Sequence, residues 1–325
     1  MALVLLSSCG GDDPPSTSLR CGLTCTDCTP EPIPLSSAVG SVARVLVDDA
    51  HLYIETKRED DKGHYYGVYR LPLEGGELTP LWTTFAEHTD VIETPPPGFE
   101  LSHGMIYLMG DHAQRLPVNG DPALPLGQFR SLRPVFLDDG MIVTSITAEH
   151  HGSIARAALD GTEQTTLYDL GDDLAVTIAR GGDDLFWVQS EQATSAFALY
   201  RGHLDGRAAV RIAGPVSPGQ VFPDDIAADA SHVYFFDEKS HLVRASHDGL
   251  DVESMSASRA DVRSVDDACT IAVDMGSLTG GGTFMLPEPG GGRVKVADQG
   301  EYATADQHYI YVIHKGVLGR VRRQL

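Results

Sequence analysis

Positive charge is scarce in this chain: 24 Lys and Arg stand against 46 Asp and Glu over 325 residues, for a formal net charge of −22. A protein that tracks phosphates needs a basic face, so this balance excludes an ordinary nucleic-acid binder. It also argues against docking on anionic lipid by charge alone. What the acidity supplies is solubility, with cationic partners as a secondary option. Long apolar runs are lacking too: past the first residues, no stretch approaches the ~18 apolar residues of a membrane span. Helix-length amphipathic periods are scarce, which excludes a helical solenoid. The chain has no nucleophile elbow, zincin helix or dinucleotide fingerprint. Its Gly280-Gly281-Gly282 run has neither the Lys nor the Ser/Thr of a phosphate loop. Hydrophobic residues make up 42% of the chain, ample for a globular core.

What is present is a repeat. Seven times an acidic or small residue is followed five positions later by an aromatic or aliphatic one, and then, in full in four of the units, by an Arg-x-x-x-acid-Gly turn. The anchors read Asp48, Ser102, Asp138, Gly182, Asp229, Asp267 and Asp306. Their strand partners read Tyr53, Tyr107, Val143, Trp187, Tyr234, Ala272 and Tyr311. The basic series reads Arg70, Arg115, Arg156, Arg201, Arg244, then Met285, then Arg320, with glycine five positions after each of the first six. Units of roughly 36 to 54 residues imply a radial or stacked architecture, because one such unit does not bury its faces alone.

The fifth unit shows what each repeat builds. Ile226 to Ala228 leads into a turn at Asp229, and Val233 to Phe236 is a β-branched and aromatic run, which reads as a strand. Leu242 to Ala245 forms another, the His247-Asp248-Gly249 turn follows, and Asp251 to Met255 closes the unit. Four short antiparallel strands of this kind make one propeller blade. The seventh unit ends at Leu325, where its glycine turn and fourth strand are due, while Ile33 and Leu35 precede the first unit. Lending the N-terminal segment to the last blade covers both edges. The expectation is therefore an all-β, seven-bladed propeller of four-stranded antiparallel blades, its ring closed by an N-terminal strand.

The N-terminus reads as an address. Leu6-Ser7-Ser8-Cys9 has the apolar-small-small-Cys order of a bacterial lipobox, followed by a polar stretch from Gly10 to Thr17. It resembles the end of a lipoprotein signal peptide, with Cys9 as the lipidated residue; no Lys or Arg precedes it, and the apolar run is short. The expected layout is a residual signal over 1–8, a flexible Cys-containing linker over 9–30 and one propeller domain over 31–325. The location it implies is the bacterial cell envelope, membrane-anchored and facing periplasm or exterior. With Cys9 acylated, Cys21, Cys25, Cys28 and Cys269 remain, an even set that suits disulfides in an exported protein and permits three connectivities. A four-thiolate metal site is the competing reading, weakened by the distance in sequence to Cys269.

The pattern Asp-x-x-x-apolar-Tyr followed by Tyr-Arg and Asp-Gly resembles the YWTD-like and TolB-like propeller repeats, over about residues 38 to 325. The resemblance implies architecture more than activity, since such propellers include binding scaffolds, periplasmic partners and a minority of enzymes.

Strand order sorts the loops onto two faces. The Asp turns and Arg-x-x-x-acid-Gly turns share one face and are nearly uniform. The other face carries the connections after each second strand and between blades. The interval from strand residue to Arg there is 17, 8, 13, 14, 10, 13 and 9. Variable loops on a rigid scaffold are where sites concentrate, so function is expected at 55–67, 87–98, 148–152, 189–195 and 274–282. The individual candidates are His64, His150 and His151 as ligands or bases, and Asp224 with Asp225 as a cation site, Ca²⁺ being the suitable ion. Solvated loop histidines are the plainer reading. The recurring Arg and Asp are expected to tie strand to turn or blade to blade, because a catalytic site needs distinct roles. The leading expectation is a binding scaffold for a protein, peptide or glycan; the alternative is a lactonase, lyase or hydrolase with a divalent cation in its channel.

Overall fold

The computed structural model describes residues 28–36, 39–87, 98–109, 113–126, 134–146, 151–216, 226–239, 241–255, 261–266, 269–273, 283–286, 294–297 and 302–323. Every regular element among them is a β-strand. The short strand β1 (Glu31–Pro32) comes first. The first blade is β2 (Ser41–Val47), β3 (His51–Asp60), β4 (Gly63–Pro72) and β5 (Thr79–Glu87). The second is β6 (Gly98–Ser102), β7 (Met105–Met109), β8 (Gln114–Pro117) and β9 (Leu124–Pro125). The third is β10 (Val135–Leu137), β11 (Gly140–Ile146), β12 (Gly152–Ala157) and β13 (Thr165–Gly171). The fourth is β14 (Leu174–Gly181), β15 (Asp184–Glu191), β16 (Ala196–His203) and β17 (Val210–Ala213). The fifth is β18 (Ala227–Ala228), β19 (His232–Phe236), β20 (Leu242–Ser246) and β21 (Val252–Ser254). A further sheet holds β22 (Asp261–Asp266), β23 (Cys269–Val273), β24 (Thr283–Leu286) and β25 (Val294–Ala297). The last strands are β26 (Tyr302–Ala305), β27 (Tyr309–His314) and β28 (Val317–Arg322).

Each sheet is a four-stranded antiparallel meander, and the last takes β1 as its outer strand, in the order β26-β27-β28-β1. Glu31 lies opposite Arg320 and Pro32 opposite Gly319. The Ile33 amide donates to the Leu318 carbonyl at 2.9 Å. The reading of seven like blades is corrected in one respect. Backbone pairing gives seven sheets, but only six are described as packed blades. In the sheet over 261–297 a single side chain, Val296, is placed in the core, and the other side chains lie outside the described residues.

The core is a series of inter-blade layers. Leu52 and Ile54 pack on Tyr311 and Ile313 of the last blade, with Ile33 and Leu35 against the same layer. Tyr53 packs on Phe99 and Ile106 of the second blade. Tyr107 meets Met141 and Val143 of the third. Tyr168 and Ile142 meet Trp187 of the fourth, and Phe186 meets Val233 and Phe235 of the fifth. Alternation along each second strand places neighbouring residues against opposite neighbours.

That alternation corrects the repeat register. Tyr53, Tyr107, Tyr234 and Tyr311 lie directly opposite Arg70, Arg115, Arg244 and Arg320. In the other three blades the residues opposite the Arg or Met are Ile142, Phe186 and Ile271, each one position before Val143, Trp187 and Ala272. The anchors accordingly move to Leu137, Gly181 and Asp266. A one-residue slip turns every side chain to the other face, and Val143 and Trp187 indeed face the preceding blade. Two of the slips fall at doublets, Gly181-Gly182 and Asp266-Asp267, where either residue satisfies the pattern.

Candidate functional site

The uniform face is built of self-contained structural contacts. Asp48 Oδ1 accepts from the amides of Ala50 and His51, and its Oδ2 accepts from the Tyr53 hydroxyl at 2.6 Å. Asp229 does the same for Ser231, His232 and the Tyr234 hydroxyl at 2.9 Å. Asp306 does so for His308, Tyr309 and the Tyr311 hydroxyl at 2.8 Å. Burial works against the charged forms of Asp48 and Asp229, but these donated hydrogen bonds outweigh it and hold both carboxyls below their ordinary range. The phenols respond in the opposite sense: burial, then the adjacent carboxylate, raise Tyr53 and Tyr311. In the second blade Ser102 replaces the aspartate. There the Tyr107 hydroxyl is fully buried and has no hydrogen-bond partner among the described residues.

The arginines tie scaffold to scaffold. Arg70 donates to the Val118 carbonyl in the next blade at 2.6 Å. Arg201 pairs with Asp184 at 2.8 Å, Arg244 with Glu253 at 2.6 Å and Arg320 with Glu31 at 3.3 Å. Glycines 75, 120, 161, 206 and 249 all take positive φ, between 76° and 91°, each donating to the carbonyl three residues earlier. Only glycine adopts that left-handed turn position without strain.

The opposite face differs from blade to blade. The segment expected to be a loop over 55–67 is mostly sheet: β3 and β4 run ten residues each and join through a two-residue turn. The last pairing of β2 is Ser41 with Lys57. Beyond it β3, β4 and β5 continue as a three-stranded flap for three rows: Arg58-Tyr65-Phe85, Glu59-His64-Ala86 and Asp60-Gly63-Glu87. At ~3.4 Å per residue the flap stands about 10 Å beyond the four-stranded body. On one side the Arg58 guanidinium lies 4.2 Å over the Tyr65 ring. The Tyr65 and Phe85 rings are 4.8 Å apart. Below them Gly67 sits between Thr56 and Thr83, and the Tyr69 ring lies over it so closely that a Cβ there would come within 2.5 Å of Tyr69. Together these residues and Val39 bound a cleft of about 280 Å³.

Of the expected histidines, His64 and His151 are described and stand in the first and third blades. His64 is on β4 beside Glu59, at 3.5 Å, with its ring stacked near Tyr66. His151 bonds Asp169 at 2.6 Å on its own blade. His150, Asp224 and Asp225 lie outside the described residues. So do Cys9, Cys21 and Cys25 and the Cys269 side chain. Cys28 is buried. Among the described residues no three His, Cys, Asp or Glu are grouped to hold a metal ion, and no helix is long and apolar enough to cross a membrane. In the fourth blade Glu191 accepts from Tyr200 and Thr194, and burial, then this carboxylate, push the Tyr200 phenol up to about 12. The cleft was not foreseen; its available signals were the long first interval and the Tyr65-Tyr66 and Thr83-Thr84-Phe85 clusters.

No protein-family model matches the chain, and no curated protein does. Solved structures do match. The extracellular domain of BT4673 from B. thetaiotaomicron aligns at 13% identity and TM-score 0.60, over 90% of this chain and 40% of that one. The computationally designed Ika8 protein aligns at 8% and 0.54, over 90% and 100%. YCF48 bound to D1 peptide aligns at 10% and 0.52, over 90% and 97%. The chain thus spans two fifths of the BT4673 structure. At these identities the likeness shows the fold, and the fold is a β-propeller of four-stranded antiparallel blades.

Proposed function

We propose that this propeller is a binding module for a protein or peptide, engaging it through the face of unequal connections, and that it works in the bacterial envelope on a lipid anchor at Cys9. The observation that carries the binding reading is the division of labour between the faces. The Asp and Tyr of the repeat satisfy one another on one face, whereas on the other the ten-residue strands of the first blade extend a flap with a preformed aromatic cleft. Rigid scaffolds concentrate binding in the elements that vary upon them. YCF48, a structural neighbour, was solved bound to D1 peptide, which suits a peptide or protein ligand. Extracellular BT4673 suits the envelope location.

A photo-crosslinking amino acid placed in turn at Lys62, Ser195 and Lys239, on the variable face, and at Asp49, Asn119 and Asp205, on the uniform face, tests this in cells. Adducts of defined mass from the first set alone are expected. Adducts from the uniform face alone overturn the reading. The anchor is tested separately: Cys9→Ser abolishes incorporation of a labelled fatty acid and moves the protein out of the membrane fraction, and unchanged labelling of that variant defeats it.

A further inference from the structure

Resting on the binding reading above, we propose that the outer edge of β5 takes an extended peptide as an added strand, with one large apolar side chain of that peptide seated in the cleft beside Phe85. Outer strands of the other sheets are short: β1 and β9 have two residues, β21 three, and β17 and β25 four. Shortness is one of the ordinary protections of a free edge. Strand β5 departs from it with nine residues, and it ends its sheet, so among the described residues no strand pairs with its outer side. Its upper part, Thr83-Thr84-Phe85, carries no charge and is exposed, Phe85 at 42%. Seven-residue β13 is the nearest rival in length, and its Asp169 lies inside the strand, whereas the one charged residue of β5, Glu87, stands at its end.

The geometry of the edge fixes the class of partner. A row of outward amide and carbonyl groups along a strand is matched by another extended backbone, and pockets beside the edge then read alternate side chains. The cleft holds about 280 Å³, at the low end for a small-molecule site and suited to one aromatic or branched aliphatic side chain. Its wall is formed before any ligand arrives, because Arg58, Tyr65 and Phe85 already pack against one another in one cross-strand row. Its floor is the Tyr69 ring, which lies directly over the backbone of Gly67 and leaves no room for a side chain there. A preformed wall lowers the ordering cost of binding.

The probe is a phage-displayed library of linear heptapeptides, selected on the full chain. Peptides with an aromatic or branched aliphatic residue at one fixed position are expected. The best of them, synthesised, loses at least tenfold in affinity against Phe85→Ala, whose melting temperature stays within about two degrees of the parent. N-methylation of each peptide residue in turn separates edge addition from side-chain capture. Methylation at alternate positions abolishes binding and at the intervening ones is tolerated, because only every second residue bonds the edge. Uniform tolerance overturns the added-strand geometry. Peptides indifferent to Phe85→Ala place the binding site elsewhere while leaving the binding reading intact. Enrichment of no peptide, with a soluble oligosaccharide array instead giving Phe85-dependent binding, overturns the peptide class.

Discussion

A tyrosine hydroxyl means different things in different blades of this protein. At Tyr53, Tyr234 and Tyr311 it donates to an aspartate that also caps the turn; at Tyr107 it is buried with no acceptor among the described residues. Hydrogen bonds to a charged partner contribute about 1.5–3 kcal/mol, whereas an unmet buried hydroxyl is a cost. Tyr234→Phe is therefore expected to destabilise by about 2 kcal/mol in urea unfolding, and Tyr107→Phe to be neutral or stabilising. Ser102→Asp supplies the missing acceptor and should raise stability by about 1 kcal/mol, a gain that Tyr107→Phe in the same chain cancels. The smaller exposure of the Asp229 carboxylate, 16% against 36% for Asp48, makes it the costlier of the two to remove. The residue types were legible in the sequence: Asp48 with Tyr53, Asp229 with Tyr234 and Asp306 with Tyr311 stand at the expected spacing of five. The exceptions were not. Nothing in a doublet such as Gly181-Gly182 tells which residue carries the turn, so Trp187 is read onto the wrong side of its strand.

Strand elements show where the pattern misleads most. The interval of 17 between Tyr53 and Arg70 reads as a long loop because Glu59-Asp60-Asp61-Lys62 is polar, yet it is a hairpin whose polar residues occupy a flap in solvent. Polarity marks exposure, and exposed strands and loops share it. The cleft needs residues from three strands in register, Arg58, Tyr65 and Phe85, and such a row exists only once the pairing is known. The N-terminal strand is the opposite case, since the shortfall in the last blade announces it. Ile33 and Leu35 hold this strand to the layer formed by Leu52, Tyr311 and Leu318. Ile33→Asp should lower stability by about 1–3 kcal/mol, and hydrogen exchange should then rise first in β28, which loses its outer neighbour. Unchanged protection of β28 in that variant defeats the role of β1 as the latch.

At the scale of the whole molecule, acidity and the capped turns couple stability to pH. Asp48 and Asp229 have carboxyls held below their ordinary value, so their contribution is complete above the unfolded-state pKa and is lost as pH falls through the lower, folded-state one. Melting temperature should stay level from about pH 7 to pH 5 and drop below about pH 4, with a shallower drop for Asp229→Asn. A fall beginning near neutrality would point to other groups. The ring divides into a face that holds it together and a face that is free to differ, and one paired comparison tests that division most directly. Melting temperature and affinity for a selected heptapeptide are measured for Asp229→Asn and for Phe85→Ala. The expected result is a crossover: Asp229→Asn lowers the melting temperature and leaves affinity unchanged, and Phe85→Ala lowers affinity at least tenfold and leaves the melting temperature unchanged. Loss of peptide binding in Asp229→Asn at full stability would contradict it.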